Sequence, residues 1–463
     1  MNIELEQQTI RAISLSDRHG RARDLFTVWF GTNLMLLTVV TGALAVTVFH
    51  LPLIWATVSL VLGNLVGGVF MALHAAQGPT LGVPQMVQTR GQFGSVGALV
   101  VITVVVVMYV GFFASNLVLG AETLRAIAPP LPEMPVIVVL AVLSIAVTIL
   151  GYDLIHACAR YISYASGAAF ALTLVWIAIG HSLPPDLWSR NTVTIQGVLG
   201  SISIAALWQI AYAPYVSDYS RYLPPGTGVR PAFWASYWGS VLGSVVPMVV
   251  GAVIGLLDQS RDVIATLGVV TKEIAPVTFV IFSVAMLTNN AMNVYCGALS
   301  TLTAVQTWRP AWNPSWRARS AVAVILLAVA LGLAILGHDS FLESYTSFIL
   351  LLFYVLIPWT AINLVDYYLV RRGEYDVDSF FRQDGGIYGR YNVPAIACYF
   401  LATLVQLPFV STPLYRGPVA RALGDADLSW LVGLVVASAS YYFFAKRPVS
   451  RATGPVNLSQ SLK

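Results

Sequence analysis

The residues of this chain best placed to do chemistry are amides. Thr288-Asn289-Asn290 and then Asn293 put four polar side chains within six positions of an otherwise apolar stretch, 274–299. Unpartnered in an apolar medium, each would carry a desolvation cost, so they must face an interior cavity or one another. A carboxamide offers an acceptor oxygen and two N–H donors, which suits the edge of a neutral, hydrogen-bonding molecule. Helix-to-helix glue is the plainer alternative, and the density of four favours binding.

Three other stretches carry related features. Phe112 and Asn116 stand four apart in 98–124 and share one helical face. A ring there can stack on a planar molecule while the amide reads its edge. Taken alone, such a pair is more often core plus an interhelical bond. In 198–218, Trp208, Gln209 and Tyr212 precede Pro214, which removes a backbone donor and frees a carbonyl, giving either a simple kink or a functional break. In 25–48, Trp29-Phe30-Gly31-Thr32-Asn33 combines an amide with a glycine that suits either an unwound turn or close helix packing.

Charge is missing where a charged ligand would need it. Asp153, Asp218, Glu273, Glu343 and Asp366 sit at the ends of apolar stretches, with Glu122 near the end of another. No Asp, Glu, Lys or Arg lies near a midpoint, so the expected ligand is neutral and planar. The six histidines fall in tails, loops or stretch ends. Cys158, Cys296 and Cys398 form no CxxC pair. Neither a metal site, a disulfide framework nor an intramembrane acid–base enzyme is expected, and no cofactor.

These residues must be positioned by membrane helices. Of 463 residues, 57% are hydrophobic and 10% charged, against about 25% charged in a soluble domain. The mean hydropathy is +0.76. The bilayer must be the solvent, and 12 Trp and 21 Tyr suit its interfacial belts. Apolar stretches long enough to cross it lie at 25–48, 51–73, 98–124, 135–152, 161–181, 198–218, 232–257, 274–299, 319–337, 341–368, 393–411 and 428–445. They are too long and too continuously apolar for barrel strands, so the fold is all-α with twelve transmembrane helices.

With both termini inside, 19 of the 25 Lys and Arg fall in inside segments, which supports cytoplasmic tails at 1–24 and 446–463. Residues 1–24 hold no apolar core for a cleavable signal. The net charge of +4 carries no basic stripe, so nucleic acid is not an expected partner. The longest polar loops, 74–97 and 369–392, are too short for a soluble domain. A substrate-sensing receptor would need one, so a transporter of the cytoplasmic membrane is the better reading.

Gly78-Pro79-Thr80-Leu81-Gly82-Val83-Pro84-Gln85-Met86-Val87, continuing to Arg90 and Phe93-Gly94, resembles the nucleobase:cation symporter family 1, in its purine–cytosine permease branch. Asp218-Tyr219-Ser220-Arg221-Tyr222-Leu223-Pro224 and Asp366-Tyr367-Tyr368-Leu369-Val370-Arg371-Arg372, followed by Gly386-Ile387-Tyr388, carry the same resemblance. It spans nearly the whole chain. It implies a LeuT-type fold: a five-helix repeat at 25–181, a second, inverted one at 198–368, and two further helices at 393–445. It further implies a permease that imports a purine or cytosine-like base with a cation by alternating access. Vitamin B6, thiamine, allantoin and hydantoin are the alternative substrates.

The same resemblance implies site residues. The base would lie between Phe112 and an aromatic of the sixth helix, Trp208 or Tyr212, with Trp208 preferred. Asn116 and Asn293 would supply polar contacts, and Asn33, read from the residues alone as an amide in the first helix, is a third candidate. A sodium ion would take carbonyls of Gly31 and Leu34 with the Val284 carbonyl and the Thr288 hydroxyl. Leu287 stands where the family carries a second hydroxyl, and Asn289 is the available substitute. The coupling ion is therefore open between sodium and a proton. The oligomeric state is not readable.

Overall fold

The computed structural model describes residues 9–150, 152–180, 184–258, 262–412 and 415–445. Among them, each of the twelve predicted stretches is helical and no strand forms. The helices are α1 (Ala22–Asn33, α1a, and Leu36–Thr47, α1b), α2 (Leu53–Ala75), α3 (Leu99–Ile127) and α4 (Glu133–Leu150). Then come α5 (Tyr152–Gly180), α6 (Ile195–Ile210, α6a, and Ala213–Ser220, α6b), α7 (Val229–Leu257) and α8 (Ala275–Trp308). The last are α9 (Trp316–Gly337), α10 (Phe341–Val365), α11 (Val393–Gln406) and α12 (Ser429–Ala445). Among the described residues, eight helices are long and apolar enough to cross a bilayer, and the bent α1 pair adds a ninth. The shorter apolar α4, α11 and α12 stand where the fourth, eleventh and twelfth stretches are expected.

Two helices are interrupted, and their residues say why. Leu34 and Met35 leave the helical region (ψ 68° and 164°), and the halves of α1 meet at a 62° bend. Thr38 donates its hydroxyl to the Asn33 carbonyl at 2.6 Å, satisfying an acceptor the break would orphan. Gly31 is not the point of unwinding. It remains helical, and a Cβ there would lie 1.6 Å from the Ser163 hydroxyl, so Gly31 serves the close approach of α5. The α6 interruption is milder. A turn at Ala211-Tyr212 separates the halves, and Pro214 falls in the first turn of α6b, where it lacks no helical bond.

The helices α1, α2, α6 and α7 pack backbone to backbone. α7 lies along both halves of α1 and against α2, and α2 lies along α6a. A Cβ on Gly42 would sit 2.1 Å from the Met248 carbonyl oxygen, and one on Gly67 2.3 Å from that of Ala206. With no hydrophobic drive between helices in lipid, this intimacy supplies the dispersion contact that holds them. Gly42→Val is expected to lower stability by about 2 kcal/mol through overpacking. Thermal unfolding in detergent checks this, with Gly332→Ala, which meets nothing within 4 Å, as the neutral comparison.

The loop read from sequence as polar is polar, but it is not exposed to water. Residues 74–97 form two short helices, Gly78–Leu81 and Gln85–Phe93, and Gln77, Gln85, Gln88, Thr89, Arg90 and Gln92 are all buried. Arg90, Arg221 and Arg319, three of the 19 cations assigned to inside segments, are buried too. The start of the chain also differs from a free tail. Ile10 and Ile13 are buried, and Thr9 donates to the Pro314 carbonyl at 2.8 Å. Two isoleucines are too apolar to leave in water while a bundle face can cover them. Residues 1–8 and the expected tail 446–463 lie outside the described residues. Cys296 and Cys398 are buried thiols, and the side chain of Cys158 lies outside the described residues.

Candidate functional site

The two broken helices and the amide-bearing α8 converge on one cavity in the middle of the bundle. Met35 enters from the α1 break, Trp208, Ala211, Tyr212 and Tyr215 from the α6 turn, Phe112 from α3, and Asn289 and Asn293 from α8. No charged side chain lines it. The cavity is about 10 Å³, roughly the space one water molecule occupies.

Its aromatic wall is edge-on. Phe112 and Trp208 have centroids 6.3 Å apart with planes at 84°, and Trp208 meets Tyr212 at 6.0 Å and 81°. Phe112 also leans on Phe348 at 5.3 Å and 78°. Such T-shaped contacts stabilise a closed cluster. Sandwiching a planar ring needs parallel faces about 7 Å apart, two aromatic contacts of ~3.5 Å each. One ring must therefore turn or withdraw before a planar ligand fits.

The polar wall is a connected amide cluster. Asn116 donates to the side-chain oxygens of Asn289 (3.2 Å) and Asn290 (3.0 Å). Asn293 donates to Asn289 Oδ1 at 3.2 Å and accepts the Tyr215 hydroxyl at 2.5 Å. Tyr215 in turn packs edge-on against Tyr109, whose hydroxyl donates to the Pro214 carbonyl at 2.9 Å. The buried Asn116 Oδ1 has no hydrogen-bond partner among the described residues. A cluster of this kind is expensive to bury and is poised to exchange internal bonds for bonds to a ligand edge.

The structure thus brings Phe112, Trp208, Tyr212, Asn289 and Asn293 to one cavity, while Asn116 stands one bond behind its wall. Both aromatics weighed for the sixth helix line it, so Trp208 and Tyr212 are not exclusive. Asn33 does not line it. Fully buried, it lies behind Trp208, whose indole Nε1 donates to Asn33 Oδ1 at 2.6 Å. Tyr215, Met35 and Ala211 line the cavity without having been singled out by spacing. Tyr212 and Tyr215 form a three-residue repeat, but the α6 turn and Pro214 between them spoil helical phase.

Three of the oxygens expected around a cation are turned to a local partner. The Gly31 carbonyl accepts the Leu34 amide at 3.0 Å, and the Thr288 hydroxyl donates to the Val284 carbonyl at 3.0 Å. Second lone pairs remain on these oxygens, so Gly31, Val284 and Thr288 keep the donor chemistry a hard cation uses. Leu287 instead packs in an apolar cluster with α3 and α9. Asn289 does not supply the missing oxygen in this arrangement, because its Oδ1 faces Asn116 and Asn293. Among the described residues, no group of three His, Cys, Asp or Glu gathers to hold a metal.

Comparison with known proteins agrees with this architecture. The family model for permeases of cytosine/purines, uracil, thiamine and allantoin matches residues 12–433. YxlA of Bacillus subtilis strain 168, named as a purine-cytosine permease, is 38% identical over 98% of both chains. The purine-cytosine permease fcyB of Emericella nidulans is 22% identical over 95% of this chain and 88% of its own. In structure, the fold matches Mhp1, a nucleobase-cation-symport-1 family transporter solved closed with bromovinylhydantoin bound. The TM-score is 0.76 at 17% identity, covering 95% of each chain. The inward-facing conformation of Mhp1 matches at 0.72. The all-α arrangement is thus of the LeuT type.

Proposed function

The chain belongs to the family of permeases for cytosine/purines, uracil, thiamine and allantoin, a multi-pass membrane transporter and not an enzyme; from that premise we propose that it imports a neutral, planar nucleobase, a purine or cytosine-like ring, together with a cation. The observation that carries the substrate class is the composition of the central cavity: aromatic rings on one side, amides on the other, and no charge. Rings supply stacking, which any planar heterocycle accepts. The amides select among heterocycles, because a base that leaves buried polar groups unpaired is penalised.

The cavity lies between two sets of helices, and this division supports alternating access. Met35, Trp208, Tyr212 and Tyr215 belong to the glycine-locked set α1, α2, α6 and α7, while Phe112, Asn289 and Asn293 belong to α3 and α8. Rocking one set against the other separates Phe112 from Trp208 and opens the space a base requires. We place the protein in the cytoplasmic membrane with both ends inside, following the Lys and Arg distribution. The five-helix repeats at 25–181 and 198–368 belong to the same reading.

Uptake of labelled cytosine, adenine, hypoxanthine and uracil into cells expressing the protein tests the proposal. At least one base is expected to accumulate, and unlabelled thiamine, allantoin, pyridoxine and hydantoin to compete poorly. Failure of all four bases to accumulate, with binding of one of the competitors, would replace the base by that compound. The coupling ion is read in the same cells. Loss of uptake when choline replaces sodium assigns sodium, using the Gly31, Leu34, Val284 and Thr288 oxygens. Unchanged uptake in choline with collapse under a protonophore assigns a proton.

A further inference from the structure

The residue that orients the cavity's main ring does not touch the cavity. Asn33 has no hydrogen-bonding capacity left for a ligand. Its Oδ1 accepts Trp208 Nε1–H at 2.6 Å and the Ser244 hydroxyl at 2.8 Å, using both lone pairs. Its Nδ2 donates to the Trp29 carbonyl at 2.7 Å and to Ser240 Oγ at 3.2 Å, using both protons. The amide can sit only one way round. The Trp29 carbonyl can only accept and the Trp208 indole can only donate, so a flipped Asn33 would lose both bonds.

A second amide keys the first. Ser240 and Ser244 are one turn apart on α7 and bridge Asn33 to Gln209 on α6a. Gln209 Oε1 accepts the Ser240 hydroxyl at 2.5 Å, while its Nε2 donates to Ser244 Oγ at 3.0 Å and to Asn64 Oδ1 of α2 at 2.7 Å. Four helices thus fix one indole. Phe112, which meets Trp208 edge-on, carries no polar side-chain atom and is held by apolar packing, including its contact with Phe348.

We propose that Asn33 is a positioning residue for Trp208: through its indole bond and the Ser240–Ser244–Gln209 network it holds that ring as the fixed wall of the cavity, so that room for the substrate is made on the Phe112 side. This rests on the permease reading for the identity of the substrate, not for the state of the ring. The consequence is that stacking affinity depends on a buried amide that never meets the base.

Two measurements test it. In protein labelled with 5-fluorotryptophan, the Trp208 fluorine resonance is assigned by its loss in Trp208→Phe. In Asn33→Ala that resonance is expected to broaden or split while those of the other eleven tryptophans hold. A Trp208 resonance that stays sharp and unshifted overturns the proposal, as does a general broadening, which marks a merely structural role. The second is a double-mutant cycle on labelled-base uptake. Asn33→Ala and Trp208→Phe are each expected to raise KM about tenfold, with kcat within about twofold, and the double variant to raise it no further. Single effects that multiply mean that Asn33 acts apart from the indole. Should Asn33→Ala not fold, Ser244→Ala removes one support of Asn33 Oδ1, and the same Trp208-only broadening is expected, to a smaller degree; its absence overturns the proposal equally. If the wild type takes up no base, the permease reading fails, while the fluorine measurement still decides the role of Asn33.

Discussion

Asn293→Ala reduces base uptake by on the order of 100-fold at equal expression, the largest loss expected from any single cavity residue. Two costs combine. The substrate loses an amide at its edge, and the buried Tyr215 hydroxyl loses the oxygen it donates to at 2.5 Å. An unsatisfied buried group costs ~1–3 kcal/mol and a lost ligand hydrogen bond about 1 kcal/mol, so about 3 kcal/mol is at stake. At ~1.4 kcal/mol per factor of ten, that is about two decades. Tyr215→Phe in the same background separates the terms. Removing the hydroxyl relieves the first cost, so the double variant should transport better than Asn293→Ala alone. Uptake by Asn293→Ala within about threefold of wild type would remove Asn293 from the site.

Arg90→Ala is expected to be the most destabilising substitution outside the cavity. Arg90 is 2% exposed, and among the described residues its guanidinium meets no carboxylate. It donates instead to the Thr303 carbonyl (2.6 Å), the Gln306 side-chain oxygen (2.7 Å), the Phe380 carbonyl (2.8 Å) and the Thr307 hydroxyl (3.0 Å). Three of these lie in the last turns of α8, where the helix dipole favours a cation. Burial, reinforced by the nearby Arg11, pushes its pKa down to about 9, which leaves it charged at neutral pH. Hydrogen bonds to a charged donor contribute ~1.5–3 kcal/mol each before desolvation is counted, so a net loss of about 3–5 kcal/mol is expected. Thermal unfolding in detergent, or failure to accumulate in membranes, reads it. Lysine should not rescue the variant, since an ammonium cannot reach four divergent acceptors as the planar fork does. Substrate affinity of whatever protein folds should be unchanged, because Arg90 is no part of the cavity wall.

Arg90 belongs to the motifs that make the family legible in the sequence, and the structure gives them a common place. The Asp218 carboxylate accepts the Gln85 amide at 2.8 Å, joining the second motif to the first. The amides of Ser95 and Val96 donate to the carbonyls of Gly389 and Arg390, joining the first to the third. Asp366 accepts from Arg371 and from the Tyr441 hydroxyl of α12. Three segments read from different thirds of the chain thus build one buried polar assembly. None of them lines the substrate cavity. The most recognisable residues hold one end of the bundle together, while the cavity is lined from four helices, by one residue each from α1 and α3, four from α6 and two from α8.

The sequence by itself determined the helices, the membrane as their solvent, and the polar side chains that cannot face lipid. Those properties are local or compositional: length of apolar run, charge at stretch ends, and the cost of burying an amide. They place Asn289 and Asn293 as interior residues before any coordinates exist, whereas Phe112, Trp208 and Tyr212 are assigned by the family resemblance. Only the tertiary structure decided which interior atoms meet. Asn33 and Trp208 lie 175 positions apart, and Asn116 and Asn290 174. Whether such pairs bond depends on crossing angles and on the glycines that set helix separation, and no periodicity within either helix encodes that. For the same reason Asn33 reads from sequence as a ligand contact, while the structure sets it behind the cavity wall, bonded to the Trp208 indole. Tyr215 reads as nothing in particular and closes the cavity wall. Residues 74–97 read as an aqueous loop and are buried, because polarity in the chain does not say whether water or protein satisfies it.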